Sequence, residues 1–381
     1  MKIVFITSCL EPGKDGVGDY TSALAQECVN QGHLCCLIAL NDSFIANEPV
    51  RSAGVVPTLR MGRQQPWGER ISVAQKMISE SAPDRVSLQF VGYGFHPKGI
   101  VHGLAVRLRE LIGDTPLHLM FHELWIGAQA GAPLKERLIG ALQKHFILGL
   151  LRALPPFAVH TSNPAYRERL ARCGVAAGIL PLFGSVPIPS ADCDNTWLWN
   201  ELGKSGLSPV NREEFWYFGF FGTLHPVWPP EPLFSYLEQA GQIHGRKIAL
   251  VAVGRLGSGE ALWRSLVARY ADRFTFCRLG ERSPEQVGQV FRLLDYGIAA
   301  SPWIIIGKSA SAAALLEHGL PLIVNRDEVR YPFAIVDEGY SPLLCKMQPE
   351  LVESLPELKR RPSELRLAAI TAQFLREIAE G

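Results

Sequence analysis

Residues 301–325, SPWIIIGKSASAAALLEHGLPLIVN, constrain this chain more than any other stretch. An apolar run ends at Ile306 and a turn follows at Gly307. An Ala- and Leu-rich run then stops at Gly319, and Pro321 with β-branched Ile323 and Val324 opens a second strand. Strand, glycine turn, helix, glycine stop and strand is the sequence form of a βαβ unit. A helix after such a turn starts with amides that lack an intrahelical acceptor and carry partial positive charge. The turn through Gly307, Lys308, Ser309 and Ala310 therefore reads as an anion site, with the Lys308 ammonium adding a full charge and phosphate as the natural guest. The plainer alternative is a solvated lysine at a helix start. A Walker-type phosphate loop does not fit, because the glycine it requires five residues before Gly307 is Pro302.

At 381 residues the chain exceeds one ordinary core and suits two domains. Apolar residues make up 47% and charged residues 20%, a globular balance that argues against disorder. A formal net charge of +1 gives no basic excess for nucleic-acid phosphates. The eight cysteines show no CxxC spacing and no Cys/His cluster, so they read as reduced thiols of a cytoplasmic protein without a metal site. The apolar run at 3–10 is short for a signal sequence, and no run approaches a membrane span.

Ile3–Leu10 reads as a buried strand. After it, Gly13, Gly16 and Gly18 allow a tight turn into a helix from Asp19 to Gln31, with the next strand at Leu34–Leu40. The glycine order differs from GxGxxG, so no nicotinamide cofactor is expected. Strands at Val86–Val91 and Leu117–Phe121 end in QFVGYGF and HELW, and helical patterns cover Lys98–Leu111 and Leu134–Leu154. Such alternation gives a doubly wound parallel sheet that binds ligands beyond the carboxyl ends of its strands, where Gln89, Tyr93, His122 and Glu123 would sit. A lone histidine there also reads as a structural hydrogen-bonder.

Proline- and serine-rich texture places a linker at 189–209. Its Asp192 and Asp194 form a DxD pair that reads as a solvated turn rather than a metal site. A second α/β series follows, with turns at Gly222-Thr223-x-His225 and Gly254-Arg255 open to a phosphate or sugar. The domains expected are 1–188, 210–355 and a closing helical segment 356–381 that packs back across the molecule. The architecture expected is two Rossmann-like doubly wound parallel-sheet domains facing across a cleft.

Taken together, GVGDYTSALAQECVNQGH, FHELW, TSN, LPLF, FGFFGTLHP and SPW…GKS…GLPLIV resemble, in order over about residues 1–330, the retaining GT-B glycosyltransferases of the family 4 type. The resemblance implies a nucleotide-diphosphate sugar as co-substrate, held mainly by the C-terminal domain, and an acceptor held mainly by the N-terminal one. It implies transfer with retention and without a cofactor, a metal or a protein nucleophile, the leaving diphosphate taking the acceptor proton. Catalytic roles then fall on His122 and Lys308. Gly307, Ser309, Ala310, Arg255, Gly254, Gly222, Thr223 and His225 fall on the donor side, and Gly16, Gly18, Asp19, Tyr20, Gln89, Tyr93 and Glu123 on the acceptor side.

The chain departs from the family at its signature glutamate pair, whose positions, counted back from Gly319, are Ile306 and Ala314. Glu317, one turn beyond Ala314, is either a substitute ribose contact or a solvated helix residue. Loss of both acids also suits a non-catalytic sugar-nucleotide-binding or partner subunit. Residues 98–172 carry ten Lys/Arg against five Asp/Glu, and the basic amphipathic stretch 135–154 is compatible with a peripheral contact at the inner membrane face and a lipid-linked acceptor.

Overall fold

The computed structural model describes residues 1–46, 48–335 and 341–380. The chain divides into two compact units, one of Met1–Leu182, Tyr331–Val336 and Leu367–Gly381, the other of Phe183–Arg330 and Asp337–Arg366.

The N-terminal unit runs β1 (Lys2–Thr7), α1 (Gly16–Asn30), β2 (Leu34–Asp42), β3 (Val50–Ser52), β4 (Thr58–Gly62), α2 (Trp67–Ser81), β5 (Arg85–Phe90), α3 (Gly92–Phe95), α4 (Leu104–Ile112), β6 (Leu117–Phe121), α5 (Leu134–Ala153), β7 (Ala158–Thr161), α6 (Pro164–Ala171) and β8 (Gly178–Ile179). Its sheet has the order β3-β4-β2-β1-β5-β6-β7-β8, parallel except where β3 meets β4. The inner strands are continuous apolar runs because helices cover both faces, and Val4, Phe5, Ile38, Leu88 and Leu119 are all buried. Winding reverses between β1 and β5, so the loops after these two strands border the crevice where doubly wound sheets take ligands.

The C-terminal unit runs α7 (Thr196–Gly203), β9 (Phe215–Phe221), α8 (Leu233–His244), β10 (Lys247–Val253), α9 (Glu260–Tyr270), β11 (Thr275–Gly280), α10 (Pro284–Leu293), β12 (Tyr296–Ile298), α11 (Ala310–Glu317), β13 (Leu322–Val324), β14 (Leu344–Lys346) and α12 (Leu351–Ser354). Its parallel sheet has the order β11-β10-β9-β12-β13-β14, with the reversal between β9 and β12. One face packs Tyr217, Val251 and Phe291; the other packs Phe220, Trp228 and Trp263.

Three expectations need correction. Residues 189–209 are not a linker: Leu198 and Leu202, four residues apart on α7, and Leu207 are buried in the core of the C-terminal unit. The prolines and serines read as solvent, but the LxxxL spacing gave this segment one apolar face. The strand expected to run to Ile306 stops at Ile298. Pro302 has no amide for the ladder, the Trp303 amide bonds to the Arg326 carbonyl at 2.8 Å, and Trp303–Lys308 coils as a 3-10 turn. The segment 356–381 is split between units: the Glu364 amide bonds to the Glu317 carbonyl at 2.7 Å in the C-terminal unit, whereas the final helix α13 (Leu367–Ala379) belongs to the N-terminal one. There Phe374 packs on Phe5 and His118, with ring centroids at 5.7 and 5.2 Å.

Candidate functional site

In the C-terminal unit the turn after β9 meets the start of α11, and the turn after β10 packs against it. Gly222 and Gly254 both have positive φ, 75° and 88°, conformations that residues with a Cβ rarely hold. A Cβ on Gly222 would lie 2.9 Å from Ser311 Oγ in the first turn of α11, and one on Gly254 would lie 3.2 Å from the Gly222 nitrogen. Glycine at these two positions lets the loop after β10 pack on the loop after β9, and that loop pack on the helix start. Thr223, His225 and Arg255 follow on the exposed side of the same loops.

Ser309 caps α11 by accepting from the Ala312 amide at 3.2 Å. Gly307, Lys308 and Ser309 are half-buried and Ala310 is exposed, so the turn is partly open to solvent. Arg255 is joined to Glu281 at the end of β11, Nε to Oε1 at 3.0 Å and Nη2 to Oε2 at 2.8 Å. His225 sits near Arg326, and its imidazole is held below the ordinary histidine value by burial first and by the Arg326 charge second. Asn325 and Arg326, which follow β13 directly, were not foreseen. Arg326 is buried, donates to the Ala300 carbonyl at 3.0 Å and pairs with Glu328. The signal was available: PLIVN reads as a strand, and the next side chain lies at its carboxyl end.

Glu317 satisfies neither reading given to it. It is 3% exposed, its carboxylate lacks a well-formed hydrogen bond, and a Cβ on Gly184 would come within 2.9 Å of its Oε2. Burial pushes its carboxyl up to about 7, although the backbone amides of Gly184 and Arg366 favour the anion. Ile306 and Ala314, which stand at the signature acid positions, are each 2% exposed within the apolar core. Asp194 accepts from the Thr196 amide and hydroxyl at 2.9 and 2.6 Å, a local turn. Among the described residues, no group of three His, Cys, Asp or Glu could hold a metal ion.

In the N-terminal unit the helix after the glycine turn begins at Gly16, earlier than expected, and Asp15 caps it. Its Oδ1 accepts from the Val17 and Gly18 amides, both at 2.9 Å. An anion at this helix start would meet the Asp15 carboxylate, so the start of α1 disfavours a phosphate. Gly18 brings the helix against β1's loop, where a Cβ would lie 2.5 Å from the Cys9 carbonyl. Asp19 accepts from the Gly13 amide at 3.0 Å.

His122, the residue after β6, is buried. Its Nε2 lies 2.8 Å from Gln89 Oε1, and its ring stands edge-on to Tyr20 with centroids 5.0 Å apart. Burial lowers its imidazole to about 3, so it is neutral at physiological pH. The structure thus brings Tyr20, Gln89 and His122 together. Tyr93 instead accepts from Gln143 Nε2 at 3.1 Å, and Glu123 is half-buried beside His122 in the chain.

No family model and no curated protein matches the sequence. Solved structures do match along the whole chain. Sucrose-phosphate synthase from Thermosynechococcus elongatus is 14% identical, with a TM-score of 0.59 over 100% of this chain and 98% of that one. HepE from Anabaena, in complex with UDP and glucose, is 14% identical with a TM-score of 0.61 over 100% of both. The fold is GT-B. UDP-GlcNAc 2-epimerase from Methanocaldococcus jannaschii is also similar, 12% identical with a TM-score of 0.51 over 100% of both chains. At such identities the likeness establishes architecture alone, and chemistry has to be argued from the residues.

Proposed function

We propose that this chain is a glycosyltransferase that moves a sugar from a nucleotide-diphosphate donor to an acceptor, with retention of configuration and without a metal ion. The observation that carries the reading is the packing of the left-handed Gly222 turn, itself backed by the left-handed Gly254 turn, on the first turn of α11, the helix that follows Lys308. Backbone amides at a helix start next to a lysine suit a diphosphate such as that of the UDP bound to HepE, and Arg255 at the end of β10 adds a further cation on the same sheet edge.

Charge builds on the leaving diphosphate as the glycosidic bond breaks. Lys308, Arg255 and the α11 amides stabilise it, and a diphosphate oxygen takes the acceptor proton. Neutral His122 orients the sugar. The test is NMR of the products formed from a panel of sugar nucleotides, with and without EDTA. The reading expects the donor's anomeric configuration in the product and no effect of chelation; an inverted product or a chelator-dependent rate contradicts it.

A second reading is favoured by Ile306 and Ala314, core residues where the family carries acids: a subunit that binds sugar nucleotides without transferring them. Calorimetric binding with neither transfer nor donor hydrolysis would select it.

For the acceptor, α5 is informative. Leu134, Leu138 and Leu142 are 69%, 61% and 50% exposed at four-residue spacing, beside exposed Lys135 and Arg137. That face suits an anionic lipid surface and hence a lipid-linked acceptor. Among the described residues no helix is long and apolar enough to cross a membrane.

A further inference from the structure

Behind His122 a chain of buried polar groups crosses the sheet of the N-terminal unit. His122 Nε2 is 2.8 Å from Gln89 Oε1, Gln89 Nε2 is 2.8 Å from Ser87 Oγ, Ser87 Oγ is 2.8 Å from His118 Nδ1, and His118 Nε2 is 2.8 Å from His160 Nδ1. It ends where His160 Nε2 meets Glu377 Oε2 on α13, at 2.5 Å. Every member but Glu377 is buried, and the Glu377 side chain is one-third exposed.

An ionised carboxylate only accepts hydrogen bonds, and a neutral imidazole has one donor and one acceptor nitrogen. The Glu377 carboxylate lies 2.5 Å from His160 Nε2 as a charge contact, not a well-aligned hydrogen bond, and its negative charge favours the proton on Nε2 and leaves Nδ1 to accept. His118 must then donate through Nε2 and accept at Nδ1, Ser87 must donate to His118, and Gln89 must donate its amide to Ser87. The Gln89 carbonyl is left to accept from His122 Nε2–H. With the opposite polarity throughout, a bare His160 lone pair would face the carboxylate. All three imidazoles are held below the ordinary histidine value, chiefly by burial, which keeps a single proton on each.

We infer that Glu377, through His160, His118, Ser87 and Gln89, fixes His122 as the Nε2–H tautomer, so that Nδ1 is the ring's acceptor and takes a hydroxyl hydrogen from the substrate. The five are positioning residues, and the inference rests on the proposed sugar-orienting role of His122. It explains three buried histidines and a strand serine that the fold alone would fill with apolar side chains.

The experiment is 15N–1H correlation spectroscopy of histidine-labelled protein at neutral pH, with the His122 signals assigned by loss in His122→Gln. The expected result is a protonated Nε2 and a bare Nδ1 in the unaltered protein. In Glu377→Ala, made on a partly exposed helix face and checked for folding by circular dichroism, the Nδ1–H form of His122 becomes measurable and kcat falls about tenfold, as loss of an outer positioning group does. Glu377→Gln, which keeps an acceptor oxygen, recovers most of both. An Nδ1–H tautomer in the unaltered protein, or an unchanged His122 tautomer in Glu377→Ala, overturns the inference. The spectra need no turnover, so a chain that transfers no sugar would refute the functional reading and still report on the tautomer.

Discussion

Arg255 and Glu281, at the carboxyl ends of neighbouring strands β10 and β11, form a two-pronged ion pair with contacts of 3.0 and 2.8 Å. Both side chains are at least half exposed, so solvent screens the pair and a diphosphate can compete for the guanidinium. Glu281→Gln should tighten nucleotide-diphosphate binding by about two- to fivefold, and Arg255→Ala should weaken it by more. Calorimetric titration of the two variants measures this; tighter binding in Arg255→Ala would remove Arg255 from the donor site.

Stability against pH reflects buried groups of opposite sign, Glu317 on one side and His122, with His118 and His160, on the other. Glu317 is raised to about 7, so the folded state holds its proton where the unfolded state has lost it, and stability falls as pH rises from the ordinary carboxylate range to about 7. His122 is lowered to about 3, so the unfolded state takes up a proton first, and stability falls as pH drops below about 6.5. Glu317→Gln should raise stability above about pH 8 by roughly 1–3 kcal/mol and leave the acid limb in place. Denaturant melts at several pH values check it, and an unaltered alkaline limb in the variant would show that the buried carboxylate is not its cause.

Phe374 ties α13 to the N-terminal unit through Phe5 and His118. It is fully buried, and Phe374→Ala should cost about 3–5 kcal/mol in urea unfolding. A loss below about 1 kcal/mol would mean that α13 is a loosely held appendage.

Leu134, Leu138 and Leu142 predict adsorption to anionic vesicles that weakens with salt. Liposome flotation should show binding that Leu138→Glu reduces severalfold. Equal flotation of both proteins, or none at low salt, points to a soluble acceptor.

Much of this was legible in the sequence where a strand was an uninterrupted apolar run. FWYFGFF and IALVAV gave β9 and β10, and the glycines after them were found because a turn at a parallel strand's end leaves few alternatives. Glu317 shows the limit. Its spacing from Ala314 correctly put both on one helix face, but nothing local says that this face meets the core and the backbone of Gly184. Asp15 was passed over as one loop residue among several, because capping depends on where the helix begins. The chain from His122 to Glu377 joins residues 255 positions apart through four elements, and only the pairing of β5, β6 and β7 with α13 reveals it.

The central claim is that the turn before α11 holds the diphosphate of an activated sugar, and calorimetry with nucleotide diphosphates on the unaltered protein and Lys308→Ala tests it most directly. The account predicts binding of at least one nucleotide diphosphate, weakened about tenfold or more by Lys308→Ala with the fold intact. Equal affinity in the two proteins, or no binding of any nucleotide diphosphate, would contradict it.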